Sequence, residues 1–167
     1  GLFYKLTKTL EYSGLNIIDA NIFTSIDNIF AANTFIAKFS HHDRKFSTSD
    51  LKELSKRIEK NFLQFDQISK KQKIVKIKNN FEKKINITES VNKDRGRNLI
   101  TIETSDNSGL LANIAKVFFE NKISIFSARI NTLGERVEDT FEIENSDKTL
   151  VSESKIKKII STLKKVV

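Results

Sequence analysis

Residues 98–143 read NLITIETSDNSGLLANIAKVFFENKISIFSARINTLGERVEDTFEI. Ile100 and Ile102 alternate with polar residues and predict a strand. That run stops at a polar turn, Ser105-Asp106-Asn107-Ser108-Gly109. Leu110, Leu111, Ile114, Val117 and Phe118 then recur at helical spacing. Alternation resumes over 121–133, turns at Leu133-Gly134-Glu135-Arg136, and returns over 137–143. The changes of period spell strand, helix, strand, hairpin, strand, a β-α-β-β unit.

Working outward, the N-terminal third reads as a second copy. Leu2, Phe3, Leu6 and Leu10 share a helical face, and Ser13-Gly14 ends that helix. Residues 16–26 alternate, with Ile18, Ala20, Ile22, Thr24 and Ile26 on one side. Asp27-Asn28 is turn chemistry, and 29–39 returns with Phe35, Ala37 and Phe39 on one side. A shift of 108 lays Gly1-Leu2 on Gly109-Leu110, Leu6 on Ile114, and Ala20, Ile22 and Thr24 on Ala128, Ile130 and Thr132. With two residues absorbed in the hairpin, Thr34-Phe35 falls on Thr140-Phe141. Agreement in spacing and type implies an internal duplication. A complete first copy would open with a strand and a polar turn ahead of Gly1, so the reading expects a piece of a longer protein whose first copy lacks its leading strand.

Between the copies, Ser47, Thr48 or Ser49 can cap a helix with Asp50 and Glu53 in its first turn. Leu51, Leu54, Ile58, Phe62 and Phe65 make its stripe. Residues 69–83 are lysine-rich and read as a linker. Ile85 and Ile87 alternate within 84–89, which is read as the closing strand of the first copy. The chain divides into 1–90 and 91–167. Ser152 or Ser154 can cap a last helix carrying Ile156, Ile159, Ile160, Leu163 and Val167.

Composition narrows the function classes. The 167 residues carry no cysteine, which excludes disulfides and thiolate sites. No apolar run approaches the roughly 20 residues of a bilayer span, and no secretory signal opens the chain; a cytoplasmic protein without membrane contact is expected. The net charge is +8, but the lysines are spread over helix faces and linkers. They read as solvated faces, not a nucleic-acid footprint. His41 and His42 are adjacent in a polar loop and make a poor chelating pair, so no metal site is expected. There is no phosphate loop and no nucleophile paired with a base, and no catalytic residue is expected.

Two β-α-β-β-α-β units imply an α+β fold of ferredoxin-like antiparallel sheets. The residues narrow this further. Asp106-Asn107-Ser108-Gly109-Leu110-Leu111 stands where ACT regulatory domains carry Asp-Arg-Pro-Gly-Leu-Leu. The run ARINTLGERVEDTFEI over 128–143 resembles the last of the tandem ACT domains of bacterial protein-PII uridylyltransferases, which also remove uridylyl groups. GLNIIDANIFT over 14–24 resembles the preceding ACT domain of that family. Asn107 and Ser108 depart from the family's Arg and Pro and loosen the turn.

The resemblance implies a sensor that binds glutamine and acts on catalytic domains elsewhere in a parent enzyme. Those domains would need a divalent metal and would act on the PII signalling protein; no cofactor is expected in this chain. It also implies copies paired edge to edge, with ligand between them, and allows a homodimer. The helix start supplies the physics: its first N–H groups lack partners and attract a carboxylate. The candidate ligand-binding residues are Asp106, Asn107, Ser108, Gly109 and Leu110, with Asn16 reaching in from the first copy. Asp106 can accept from an α-ammonium. In the plainer reading Asp106 caps the helix and Gly109 makes the turn. A ligand-independent oligomerisation module of another regulatory protein is the alternative function.

Overall fold

The computed structural model describes residues 1–25, 27, 29–39, 47–71, 85–107 and 109–167. In chain order the elements are α1 (Leu2–Tyr12), β1 (Leu15–Thr24), β2 (Ala31–Phe39), α2 (Thr48–Leu63), α3 (Phe65–Lys71), β3 (Asn86–Asn92), β4 (Arg97–Ser105), α4 (Leu110–Glu120), β5 (Ile123–Leu133), β6 (Arg136–Asn145) and α5 (Glu153–Val166). All six strands join one antiparallel sheet in the order β2-β1-β5-β6-β4-β3. The α+β ferredoxin-like expectation holds, with the two copies fused into one sheet.

The seam between the copies is β1 against β5. Asn21 pairs with Arg129, its own counterpart at the offset of 108, and Asp19↔Asn131 mirrors Phe23↔Ser127 about that point. The seam is therefore a pseudo-two-fold axis. Local irregularities repeat as well. β1 is bulged between Ile17 and Asp19, and β5 between their counterparts Ile125 and Ser127. Gly14 after α1 has φ +81°, and its counterpart Lys122 after α4 has φ +54°. A glycine takes this left-handed conformation readily and a lysine does so at a cost.

The core lies under one face of the sheet. Ile100, Ile102, Val137, Phe141 and Ile143 of the strands meet Ile114, Val117 and Phe118 of α4 and Ile156, Ile159 and Leu163 of α5. Phe118 and Phe141 stack edge-on at 5.2 Å between ring centroids. The first copy is thinner. On α1 the buried side chains are Phe3, Thr7 and Thr9, while Leu2 is exposed and Leu6 and Leu10 are half-buried. The expected leucine face is thus rotated, because α1 packs against α4 and α2 as well as its own strand. On α2 no side chain is fully buried and Leu51 is exposed. Its cap is Ser47, in a reciprocal capping box with Asp50.

One strand departs from expectation. β3, read as the closing strand of the first copy, pairs with β4 along its whole length, from Asn86↔Glu103 to Asn92↔Arg97. The short turn at 93–96 explains this: a tight connection joins antiparallel neighbours, so β3 takes the outer edge beside the second copy. His41 and His42 lie outside the described residues, as does most of the lysine-rich linker.

Candidate functional site

The turn after β4 leads into α4 through Gly109, which has φ +78° and ψ +4° and stands at the N-cap position. Among the described residues no side-chain cap hydrogen bond is made at this helix start. The plainer reading of Asp106 as a cap is therefore not what the structure shows. Asp106 N–H donates to Glu135 O at 2.8 Å, which ties the turn to the β5–β6 hairpin. The Asp106 carboxylate has its own partner: Asn16 Nδ2 donates to its Oδ2 at 3.4 Å. These residues stand 90 positions apart in sequence. The β1–β5 seam brings them together.

Asn16 and Asp106 share a cleft with Asn107, Gly109 and Leu110. Five of the six expected residues thus converge, and Ser108 lies outside the described residues. Leu110 N–H differs from expectation: it donates to Asn107 O at 3.0 Å and closes the turn. The N–H groups of Leu111 and Ala112 come next on the first turn of α4, where donors have no intrahelical acceptor.

Among the further lining residues that the sequence did not single out are Thr7, Glu11 and Asp139. Glu11, on the last turn of α1, is held by Lys8 at 2.8 Å. It lies over Gly109 so closely that a Cβ there would meet Glu11 Oε1 at 3.0 Å. Asp139 sits on β6 at the core-facing parity, between Val137 and Phe141, and is 1% exposed. Asn131 N–H donates to its Oδ1 at 3.4 Å. Burial pushes its carboxyl up to about 7; the Asn131 N–H pulls the other way, and the nearby Asp106 charge adds to the rise. A carboxylate at an inward strand position was visible in the sequence. Glu11 was visible too, as a polar residue where the repeat places Phe119.

The enclosed part of the cleft is about 20 Å³, room for about one water. An amino acid fits only if the Glu11 side chain swings outward. Glu11 is partly exposed on a flexible stem, and its part-buried ion pair to Lys8 is an i,i+3 pair on one helix, a modest restraint. Chemically, the cleft combines the positive end of α4 with carboxylates. It suits a small zwitterion, with its carboxylate at the helix start and its ammonium toward Asp106.

Among the described residues no group of three or more His, Asp or Glu is placed to hold a metal ion. No described helix is long and apolar enough to cross a membrane. On the sheet face away from the core, Arg97 Nε meets Glu144 Oε2 at 2.6 Å and its guanidinium lies 3.6 Å from the Phe126 ring.

Fold and cleft together define a tandem two-module unit with a polar cleft at the junction. No family model matches the chain. Over 163 residues, 97% of its length, it is 28% identical to the bifunctional uridylyltransferase/uridylyl-removing enzyme of Psychrobacter sp. (strain PRwf-1). Over 164 residues it is 27% identical to the enzyme of the same name from Psychrobacter arcticus. A 48-residue stretch is 50% identical to that of Cupriavidus metallidurans. The chain spans 18% of the length of each Psychrobacter protein. It is homologous, over nearly all its residues, to a small part of these bifunctional enzymes.

Proposed function

We propose that this chain is the amino-acid-sensing tandem ACT module of a uridylyl-transferring and uridylyl-removing enzyme, and that its ligand is glutamine. The observation that carries the reading is the meeting of Asn16 and Asp106 at 3.4 Å across the two copies, beside the start of α4. A ligand seated there touches both copies and stabilises the arrangement in which both halves of the site meet. Coupling of this kind is typically worth about 1–3 kcal/mol, enough to bias which of two catalytic activities in a larger enzyme prevails. The chain itself performs no catalysis. Uridylyl transfer and removal, their divalent metal and the PII signalling protein as substrate belong to the parent enzyme, placed in the cytoplasm.

Isothermal titration of the purified chain with glutamine tests this reading. Saturable heat is expected, with affinity about tenfold lower in Asn16→Ala, as for loss of one hydrogen bond to a charged group. A folded wild type that gives no heat overturns it.

The alternative, a ligand-independent oligomerisation module, is favoured by the outer edge of β2, which carries exposed Ile36 and is preceded by exposed Ile29 and Phe30. Light scattering separates the two. A dimer of the same mass with and without glutamine supports the alternative; assembly that changes with glutamine supports sensing.

A further inference from the structure

The sequence-predicted site holds one carboxylate, Asp106, whereas the folded cleft holds three: Glu11, Asp106 and Asp139. Asp139 stands apart from the other two. Glu11 has Lys8, and Asp106 has Asn16 and a place at the rim. Asp139 is almost wholly buried at the floor, beside Ile130 and Val137. A carboxylate offers about four acceptor positions. Among the described residues, the Asn131 N–H is the one donor Asp139 receives, at 3.4 Å. No described lysine or arginine pairs with it, and the charge that acts on it is the like charge of Asp106. A buried carboxyl left this incompletely bonded is costly to the fold.

We propose that Asp139 sets the specificity of the cleft: it receives a hydrogen-bond donor from the ligand's side chain, so that an amino acid ending in a neutral amide is taken and one ending in a carboxylate is refused. The inference rests on the amino-acid-binding reading above. With the ligand's carboxylate at the start of α4 and its ammonium toward Asp106, the remaining end points to the floor. A terminal amide N–H supplies the donor that Asp139 lacks. Above about pH 7, where Asp139 is ionised, a terminal carboxylate supplies none and brings a further negative charge toward Glu11, Asp106 and Asp139. Sites built around a buried hydrogen bond reject analogues that cannot form it far more strongly than apolar pockets reject a missing methylene.

Isothermal titration of the 167-residue chain with glutamine and with glutamate at about pH 8, where Asp139 is ionised, tests the proposal. Wild type is expected to prefer glutamine by about thirtyfold or more. Asp139→Asn, whose amide both donates and accepts, is expected to bring the two ligands within about threefold. This ratio is the telling readout, because a merely structural role for Asp139 would weaken both ligands together and leave it unchanged. Asp139→Asn with the wild-type ratio overturns the proposal while leaving amino-acid binding intact. Wild type taking both ligands within about threefold overturns it without any variant, should Asp139→Asn fail to fold. Wild type binding neither ligand overturns the amino-acid reading, and this inference with it.

Discussion

The starts of α1 and α4 are counterparts in the repeat, yet they are built for opposite ends. At Gly109 the covering residue is Glu11, and Asn16, Asp106 and Asp139 line the space beneath. At Gly1 the covering residue is Phe119, the repeat counterpart of Glu11, and a Cβ there would meet its ring at 2.7 Å. Phe119 stacks on Tyr4 at 5.7 Å, and Tyr4 meets Phe65 edge-on at 5.6 Å. The positions matching Asn16 and Asp139 are Ser124 and Asn33. One corner is a polar cleft and the other is filled by aromatic rings. A symmetric backbone with asymmetric side chains leaves the Gly109 corner open as a cleft, and the Gly1 corner packs Phe119 and Tyr4 against Phe65 of α3.

The largest effect expected contrasts the two cores. Phe141 is wholly buried against Phe118 and Phe3, and Phe141→Ala should cost about 3–5 kcal/mol in denaturant unfolding. Its counterpart Phe35 is half-buried on β2, and Phe35→Ala should cost at most about half as much. Equal losses would break the view that the second copy carries the core.

Next comes pH. Burial holds the Asp139 carboxyl at about 7, above its ordinary 3.8. The folded state keeps this proton longer than the unfolded chain does. The group's contribution to stability is therefore full below about pH 4 and is lost as pH rises through about 7. Asp139→Asn should be more stable than wild type by about 1–3 kcal/mol at pH 8 and gain nothing at pH 4. Thermal melts at the two pH values check this, and a gain independent of pH would refute it.

Gly109→Ala should cost about 1–2 kcal/mol, since it adds contact with Glu11 to the strain of a left-handed backbone. Gly134 has φ +64° with open space around its missing Cβ, so Gly134→Ala measures the backbone part alone, about 1 kcal/mol. Pairing Gly109→Ala with Glu11→Ala should recover the difference; no recovery would mean that Glu11 does not press on Gly109.

The smallest effect on stability, within about 0.5 kcal/mol, is expected of Glu11→Phe, a change on a partly exposed face. It rebuilds the Gly109 corner in the image of the Gly1 corner and should abolish glutamine heat in calorimetry. Retained binding would show that the covering residue does not decide which corner is open.

The duplication, the strand and helix periods and the Asp106-to-Leu110 turn were legible because each is local. Alternation marks a half-buried strand and the 108-residue offset needs no coordinates. That Asn16 would lie near the Asp106 turn was also legible, through the resemblance to paired domains; its hydrogen bond to Asp106 was not. Where β3 pairs was not, because Ile85 and Ile87 suit either edge and the short turn to β4 decided between them. The leucine face of α1 was misjudged because periodicity reports a face but not which neighbours cover it. The sequence alone thus determined two copies of one unit and a helix that starts at a glycine. Only the tertiary structure decided that Glu11 and Asp139 share the cleft with Asp106, because residues from α1, β6 and the β4–α4 turn meet only when two sheets join along β1 and β5.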